Sequence, residues 1–302
     1  MATAIKESKK NDDIVLIDAG RIFPTQGKYV GSRGRLALDV MEKMGYDAIA
    51  LGPLDIVKGF PVLESLNKKR PDFPIVISNL VSTHTQRPPF GKRYLVVSRK
   101  GKKIGIVAVV PDRELEKEIA DAGIGKRGLR VLPPEDALKE IMGKLRAKVN
   151  MVVLISQLTR KETFSLVDRV KGIDMVFLGL PERVMGLSVP PKLTTKFVWV
   201  APKGDILRKV KVSFDKKGHM DLLQMVSIRL DRSVVQDKTV ASLVKRKLAA
   251  WEEADRKEMQ AWRKKILSMT PEEYVQYLQK HGYKPPLPPS YQKSTQKKGC
   301  GK

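Results

Sequence analysis

Short apolar runs alternate with amphipathic segments over the first eighty residues, and this pattern constrains the fold more than any other feature. Ile14-Val15-Leu16-Ile17 reads as a buried strand that ends at Asp18-Ala19-Gly20. Gly34 to Met44 follows with Leu36, Val40 and Met44 on one helical face, and Gly45 is placed to stop the helix. Asp47 to Leu51 is the next strand, closed by Gly52-Pro53, and a second helical segment runs near Pro61 to Lys69. Ile75-Val76-Ile77 then predicts a third strand before Ser78-Asn79. Strands separated by helices at this spacing require parallel pairing in a sheet covered on both faces.

From Tyr94 the pattern changes. Tyr94 to Ser98 and Ile104 to Val110 flank a basic tip (Arg99, Lys100, Lys102, Lys103), which predicts a β-hairpin. Helices near Pro134–Val149 and Glu162–Val170 lead into the apolar runs Met151–Ile155 and Met175–Leu178. Phe197–Val200, Ile206–Phe214 and Leu222–Leu230 read as antiparallel strands, the last two joined by a turn at Asp215–Gly218. Parallel units followed by a β-rich half predict an α/β protein with two mixed sheets packed together and helices outside.

The remainder is a helical tail. Val244, Leu248, Trp251, Met259, Trp262 and Ile266 recur at helical spacing, which predicts a long amphipathic helix docked on the domain. Thr270 as N-cap, Pro271 at the first position and Glu273 at the third start another helix over Tyr274 to Gln279. Pro285 to Pro289 is extended linker. The expected divisions are therefore 1–232 for the α/β domain, 233–283 for a helical extension and 284–302 for a Pro-rich, then basic, tail.

Composition narrows the function classes. Lys and Arg total 58 against 33 Asp and Glu, so the formal net charge is +25 and polyanions should be attracted. The basic residues are spread along the whole chain, which favours a solvated surface. Aromatic residues are only 6% and do not interleave with the basic clusters, so no stacking platform for single-stranded nucleic acid is visible. Cys300 is the only cysteine, which excludes internal disulfides and Cys-based zinc sites. His84, His219 and His281 lie far apart, and none sits at a metal-ligand spacing. No apolar stretch approaches the length of a membrane span.

Asp13 to Leu80 resembles a known family. A strand ending in Asp-Ala-Gly, a helix containing Leu38 to Ala50, Leu-Gly-Pro-Leu-Asp at 51–55 and the run Phe73 to Leu80 are similar to the 5′-nucleotidase branch of the calcineurin-like metallophosphoesterases. Tyr94 to Val110 resembles that family's Gly-Lys-Ile-Gly strand pair, and the resemblance extends over roughly residues 1–230. It implies a four-layer arrangement, helices outside two packed sheets, and two divalent metals at the strand ends that clamp phosphate and generate hydroxide.

The chain departs from the family at each aligned ligand position. The bridging Asp of the family's Gly-Asp pair is replaced by Arg21, a cation that repels metals. The Gly-Asn-His-Glu motif becomes Gly52-Pro53-Leu54-Asp55, so Pro53 and Leu54 stand where the amide and the imidazole belong. Gln157 replaces the histidine of a Ser-His pair, and Leu180 and Glu182 replace the two histidines of a Gly-His-x-His motif. Asp18, Asp55, Asn79 and Glu182 are the polar groups left near the expected strand ends. Asp18 reads more simply as a strand-end hydrogen-bonding residue and Asn79 as a turn residue.

The family's first strand, with its Asp-x-His motif, has no counterpart, and Met1 to Lys10 resembles the helix that follows it. Its absence would leave a gap with unpaired backbone inside the sheet, which predicts a native chain beginning upstream, with a signal peptide there as one form. The chain as written reads as cytoplasmic, and with such a leader it becomes periplasmic or extracellular. Cys300 would join a Cys-x-x-Cys-His haem attachment only if the chain continued. Three functions remain in view. One is a catalytically inactive binding or scaffolding domain, with an acidic protein or a c-type cytochrome module as partner. The others are a Mn²⁺- or Mg²⁺-dependent phosphohydrolase with an altered site, and a non-specific nucleic-acid binder.

Overall fold

A computed structural model describes residues 1–24, 30–180, 189–201, 204–216, 218 and 220–281. The first part runs α1 (Ala2–Asn11), β1 (Ile17–Asp18), α2 (Val30–Met44), β2 (Ala48–Ala50), α3 (Pro53–Lys69), β3 (Ile75–Val76) and β4 (Leu80–Ser82). The middle runs β5 (Tyr94–Arg99), β6 (Lys102–Val109), α4 (Asp112–Asp121), β7 (Leu129–Val131), α5 (Pro134–Leu145), β8 (Met151–Ser156), α6 (Arg160–Arg169) and β9 (Met175–Leu178). The last part runs β10 (Lys196–Trp199), β11 (Ile206–Phe214), β12 (Met220–Arg229), α7 (Lys238–Leu267) and α8 (Pro271–His281).

All six residues of β8 are buried, and a strand apolar on both faces needs cover on both. It lies inside a five-stranded sheet ordered β10-β9-β8-β6-β5, in which only β5 runs antiparallel to its neighbour. A smaller parallel sheet, ordered β1-β2-β3, packs face to face with it. Three apolar clusters fill the spaces between layers. Leu138, Ile141, Leu166 and Val167 of α5 and α6 meet Val152, Leu154 and Val176 on one face of the large sheet. Ala48, Ala50 and Val76 meet Ile106, Val153 and Ile155 between the sheets. Ile5, Leu38, Ile56, Phe60 and Leu63 of α1, α2 and α3 meet Ile49 and Ile75 on the outer face of the small sheet. The result is the expected four-layer order of helices, sheet, sheet and helices.

Several boundaries and one strand direction differ from the expectations. β10 pairs parallel to β9, Lys196 opposite Met175, and not antiparallel, since either direction can use the same apolar residues. The strand expected at Ile14–Ile17 is confined to Ile17–Asp18, since its only strand partner in the described residues is three-residue β2. The helix expected from Gly34 begins at Val30. The helix expected near Pro61 begins at Pro53 and carries Pro61 inside it. The hydrogen bond that Pro61 cannot donate is offset by burial of Ile56, Phe60, Leu63 and Leu66 along one face. The α5 helix ends at Leu145, followed by a single 3₁₀ turn, and α6 begins at Arg160 behind a Thr159–Glu162 capping box. The sequence reading assigned neither α4 nor the antiparallel pair β4–β7.

The tail has two helices in the described residues, with Asp237 capping α7 through Val240 N–H at 2.9 Å. Lys6 pairs with Asp237, which ties the start of α7 to α1. Trp262 Nε1 donates to Tyr277 Oη at 3.0 Å, which joins α7 to α8. Among the described residues no helix is long and apolar enough to cross a membrane. The proline-rich linker and Cys300 lie outside the described residues.

Candidate functional site

The C-terminal ends of parallel strands in an open α/β sheet form the crevice where ligands bind. Here the ends of β1, β2, β8 and β9 converge, and each carries a glycine or a short polar side chain. Gly20 (φ 94°) and Arg21 (φ 70°) turn the chain sharply after β1 through two successive left-handed residues. Glycine adopts that conformation freely; for Arg21 it is strained and must be held.

Asp55 supplies the hold. It lies in the first turn of α3 and is fully buried. Its Oδ2 accepts from Arg21 N–H at 2.6 Å and Gly52 N–H at 2.7 Å, and its Oδ1 accepts from Phe23 N–H at 2.8 Å. The loop after β1 and the start of α3 thus form a concave set of amides around this chain's own carboxylate. Burial pushes the Asp55 carboxyl above its ordinary range against the pull of these N–H groups. Three of the roughly four acceptor sites of this carboxylate are thus taken by the chain's own amides.

Gln157, just beyond β8, is also buried and fills the centre. Its Nε2 donates to Ala19 O. A Cβ added to Gly20 would sit 2.9 Å from that nitrogen, and one added to Gly52 would sit 3.3 Å from Gln157 Oε1. A Cβ at Gly179 would overlap the same amide. Three glycines therefore close around one side chain, which explains why small residues stand at all three strand ends.

The other sequence-level candidates divide. Asp18 is half-buried beside this cluster, and its Oδ1 accepts from Gly20 N–H at 2.9 Å. The protein atoms around its carboxyl push its pKa up to about 7, with a smaller push from the Asp55 charge. Asn79 is buried away from it, as a strut: Nδ2 donates to Val110 O and Leu132 O, and Oδ1 accepts from Val110 N–H at 3.0 Å. Pro53 and the exposed Leu54 form the first turn of α3, and Leu180 is half-buried after β9. Ser156 shares its hydroxyl with Thr163 at 2.7 Å. Glu182 lies outside the described residues, as does His219, and His84 sits on an exposed loop.

The sequence reading missed the structural role of Asp55. Its signal was present, since an acidic residue three places after Gly52, with Pro53 at the first helical position, is a helix-start signature. Among the described residues no three His, Cys, Asp or Glu side chains are grouped so as to hold a metal ion. Among the described residues, the groups at the strand ends are one cation (Arg21), one amide bonded to a backbone carbonyl (Gln157) and two carboxylates, Asp18 and the amide-bonded Asp55. That donor set does not fit a pair of divalent metals.

No family model matches the chain. Among curated proteins it is 24% identical to the trifunctional nucleotide phosphoesterase YfkN of Bacillus subtilis, over 68% of this chain and 16% of that one. It is 22% identical to the 5′-nucleotidase of Rattus norvegicus, over 79% of this chain and 44% of that one. The chain thus spans less than half the length of these relatives. Among solved structures, the calcineurin-like phosphoesterase YfkN of Bacillus subtilis superposes with a TM-score of 0.64 at 18% identity, covering 85% of this chain and 90% of that one. This chain has the metallophosphoesterase fold of the 5′-nucleotidase family. The sulfate thiohydrolase SoxB of Thermus thermophilus also shares it, with a TM-score of 0.65 at 20% identity over 83% of this chain and 46% of that one. Within this metallophosphoesterase fold the strand ends are closed by Asp55 and Gln157.

Proposed function

We propose that the chain is a phosphoesterase-fold domain that binds or scaffolds and does not hydrolyse. One observation carries this reading: the strand-end crevice is filled by the Gln157 amide, hydrogen-bonded to Ala19 O, inside a ring of glycines. A pair of metals needs that volume and several anionic or imidazole ligands around it. The cluster has become a polar core that keeps the loops after β1 and β2 in place. The basic surface, with a net charge of +25, then suits an acidic partner better than a phosphate-ester substrate held through metals.

The test is metal content and turnover on one sample of the purified chain, supplied with Mn²⁺ and assayed on AMP and bis(p-nitrophenyl) phosphate. The expected result is no stoichiometric metal and no hydrolysis above the blank. Stoichiometric metal with turnover would overturn the reading and return Asp18 and Asp55 to the list of ligands.

A further inference from the structure

The five-stranded sheet has two ends of different chemistry. One end meets the polar cluster around Gln157, just beyond β8, whereas a cation stands near the opposite end of every strand. Lys196 opens β10, Lys171 precedes β9, Lys148 precedes β8 and Lys103 lies at the start of β6. The antiparallel β5 brings its last residue, Arg99, to this same end. Because these strands are neighbours in the order β10-β9-β8-β6-β5, cations dispersed in the sequence form one row along the lip of the sheet.

Local pairing does not neutralise this row. Lys103, Lys148 and Lys196 are exposed and have no ion-pair partner among the described residues. Lys171 meets Asp168 only at 3.6 Å with 79% of its side chain exposed, a contact worth little in water. The backbone that carries the row is firmly held. Asn150 Oδ1 accepts from Lys103 N–H at 2.9 Å, and Asn150 N–H donates to Lys103 O at 2.8 Å. Asp174 Oδ2 accepts from Val152 N–H at 2.7 Å, and Lys196 N–H donates to Asp174 O at 3.0 Å. Cations mounted in this way cost little backbone entropy when a ligand binds. Neighbouring strands lie about 4.8 Å apart, so the row from β6 to β10 is about 14 Å long, the reach of about four extended residues. The ring of Phe214, beside the β5–β6 hairpin, is already engaged by Lys102 Nζ at 5.4 Å and is no platform for a stacked base.

We propose that this lip docks an acidic segment of a partner protein, a run of about four to six residues rich in Asp and Glu. The proposal rests on the binding reading above and names the surface that serves it. The partner's carboxylates lie along Lys103, Lys148, Lys171 and Lys196, at the end of the sheet away from Gln157. Point charges without a stacking platform suit carboxylates better than the bases of a single nucleic-acid strand.

The experiment titrates the full chain with fluorescein-labelled hexaglutamate at low salt, with oligo(dT) and a DNA duplex as competitors. Lys103→Glu, Lys148→Glu and Lys196→Glu together should weaken hexaglutamate binding by about tenfold or more. Lys68→Glu, Lys69→Glu and Lys117→Glu make an equal change of charge at exposed positions of α3 and α4, and should weaken it by no more than about threefold. Lys148→Glu alone, outside any strand, should cost about threefold with the melting transition in place, which keeps the test open if the triple variant does not fold. Equal losses in the two triple variants, or no binding of hexaglutamate in the millimolar range, overturn the proposal. Tighter binding of either DNA through the same lysines also overturns it and assigns the lip to nucleic acid. Metal and turnover in the earlier assay would sink the inactive reading without moving these affinities, so the two failures are distinguishable.

Discussion

Among the described residues, two borders of the small sheet differ. At the C-terminal end of its strands, Asp55 and Gln157 satisfy the backbone groups of the loops after β1 and β2. Along the flank of β1, the neighbouring edge of β11 stands across an apolar groove and no described strand bridges the two. The difference teaches which groups a fold can reassign. Strand-end loops present a few convergent N–H and C=O groups, which one carboxylate and one amide can satisfy. A strand edge presents a periodic row of such groups, which only another strand can pair.

The comparison predicts a hierarchy of effects, greatest at the closed end. Asp55→Ala strands the N–H groups of Arg21, Phe23 and Gly52, at about 1 kcal/mol or more each, so urea unfolding should show a loss of about 3 kcal/mol or more. Asp55→Asn should lose nearly as much, because an amide places a donor against donors. A loss below about 1 kcal/mol would mean that the end is not held by this carboxylate.

Asp18 comes next, and its effect depends on pH. Its carboxyl is raised from 3.8 to about 7 in the folded chain, so between those values the unfolded chain releases a proton that the folded chain keeps. Stability therefore falls as pH rises through that window and levels off above it. Relative to wild type, Asp18→Asn should gain about 2 kcal/mol between pH 4 and pH 8, part of the full value of such a shift because the side chain keeps some solvent. Parallel stability profiles for the two proteins would remove Asp18 from the polar cluster.

Gln157→Leu keeps the volume but removes the bond to Ala19 O, at a cost of about 1–2 kcal/mol in the same unfolding experiment. An unchanged midpoint would show that the amide fills space only. On the open flank Arg99 reaches Ile14 O at 2.8 Å and pairs with Asp13 and Asp47. Arg99→Ala should cost no more than about 1 kcal/mol, since these partners are partly solvated. A loss as large as that of Asp55→Ala would erase the contrast between the two borders.

Much of the framework was legible from local pattern. The β8 and β9 runs, the α2 stripe and the Thr270–Glu273 helix start, in which Glu273 Oε2 accepts from Thr270 N–H at 2.9 Å, follow from residues near one another in sequence. The β10 direction was not legible, because parallel and antiparallel pairing use the same apolar residues and only the path of the connection separates them. The start of α3 was masked by two prolines, Pro53 and Pro61, of which only the first marks a boundary. At the site, the sequence identified which positions had lost the family's ligands but not what replaced them. Residue 157 meets residue 19 across 138 positions, and no local rule relates the two.

Sequence by itself determined most of the order of strands and helices (not α4, β4 or β7), the family resemblance and the chemical identity of every group at the strand ends. Only the tertiary structure decided that Gln157 fills the space between three glycines and that Asp55 is spent on backbone amides. The physical reason is range. Periodicity and capping are set by neighbours within about one helical turn, whereas the satisfaction of a buried polar group depends on whichever distant segment the packing brings within hydrogen-bonding reach.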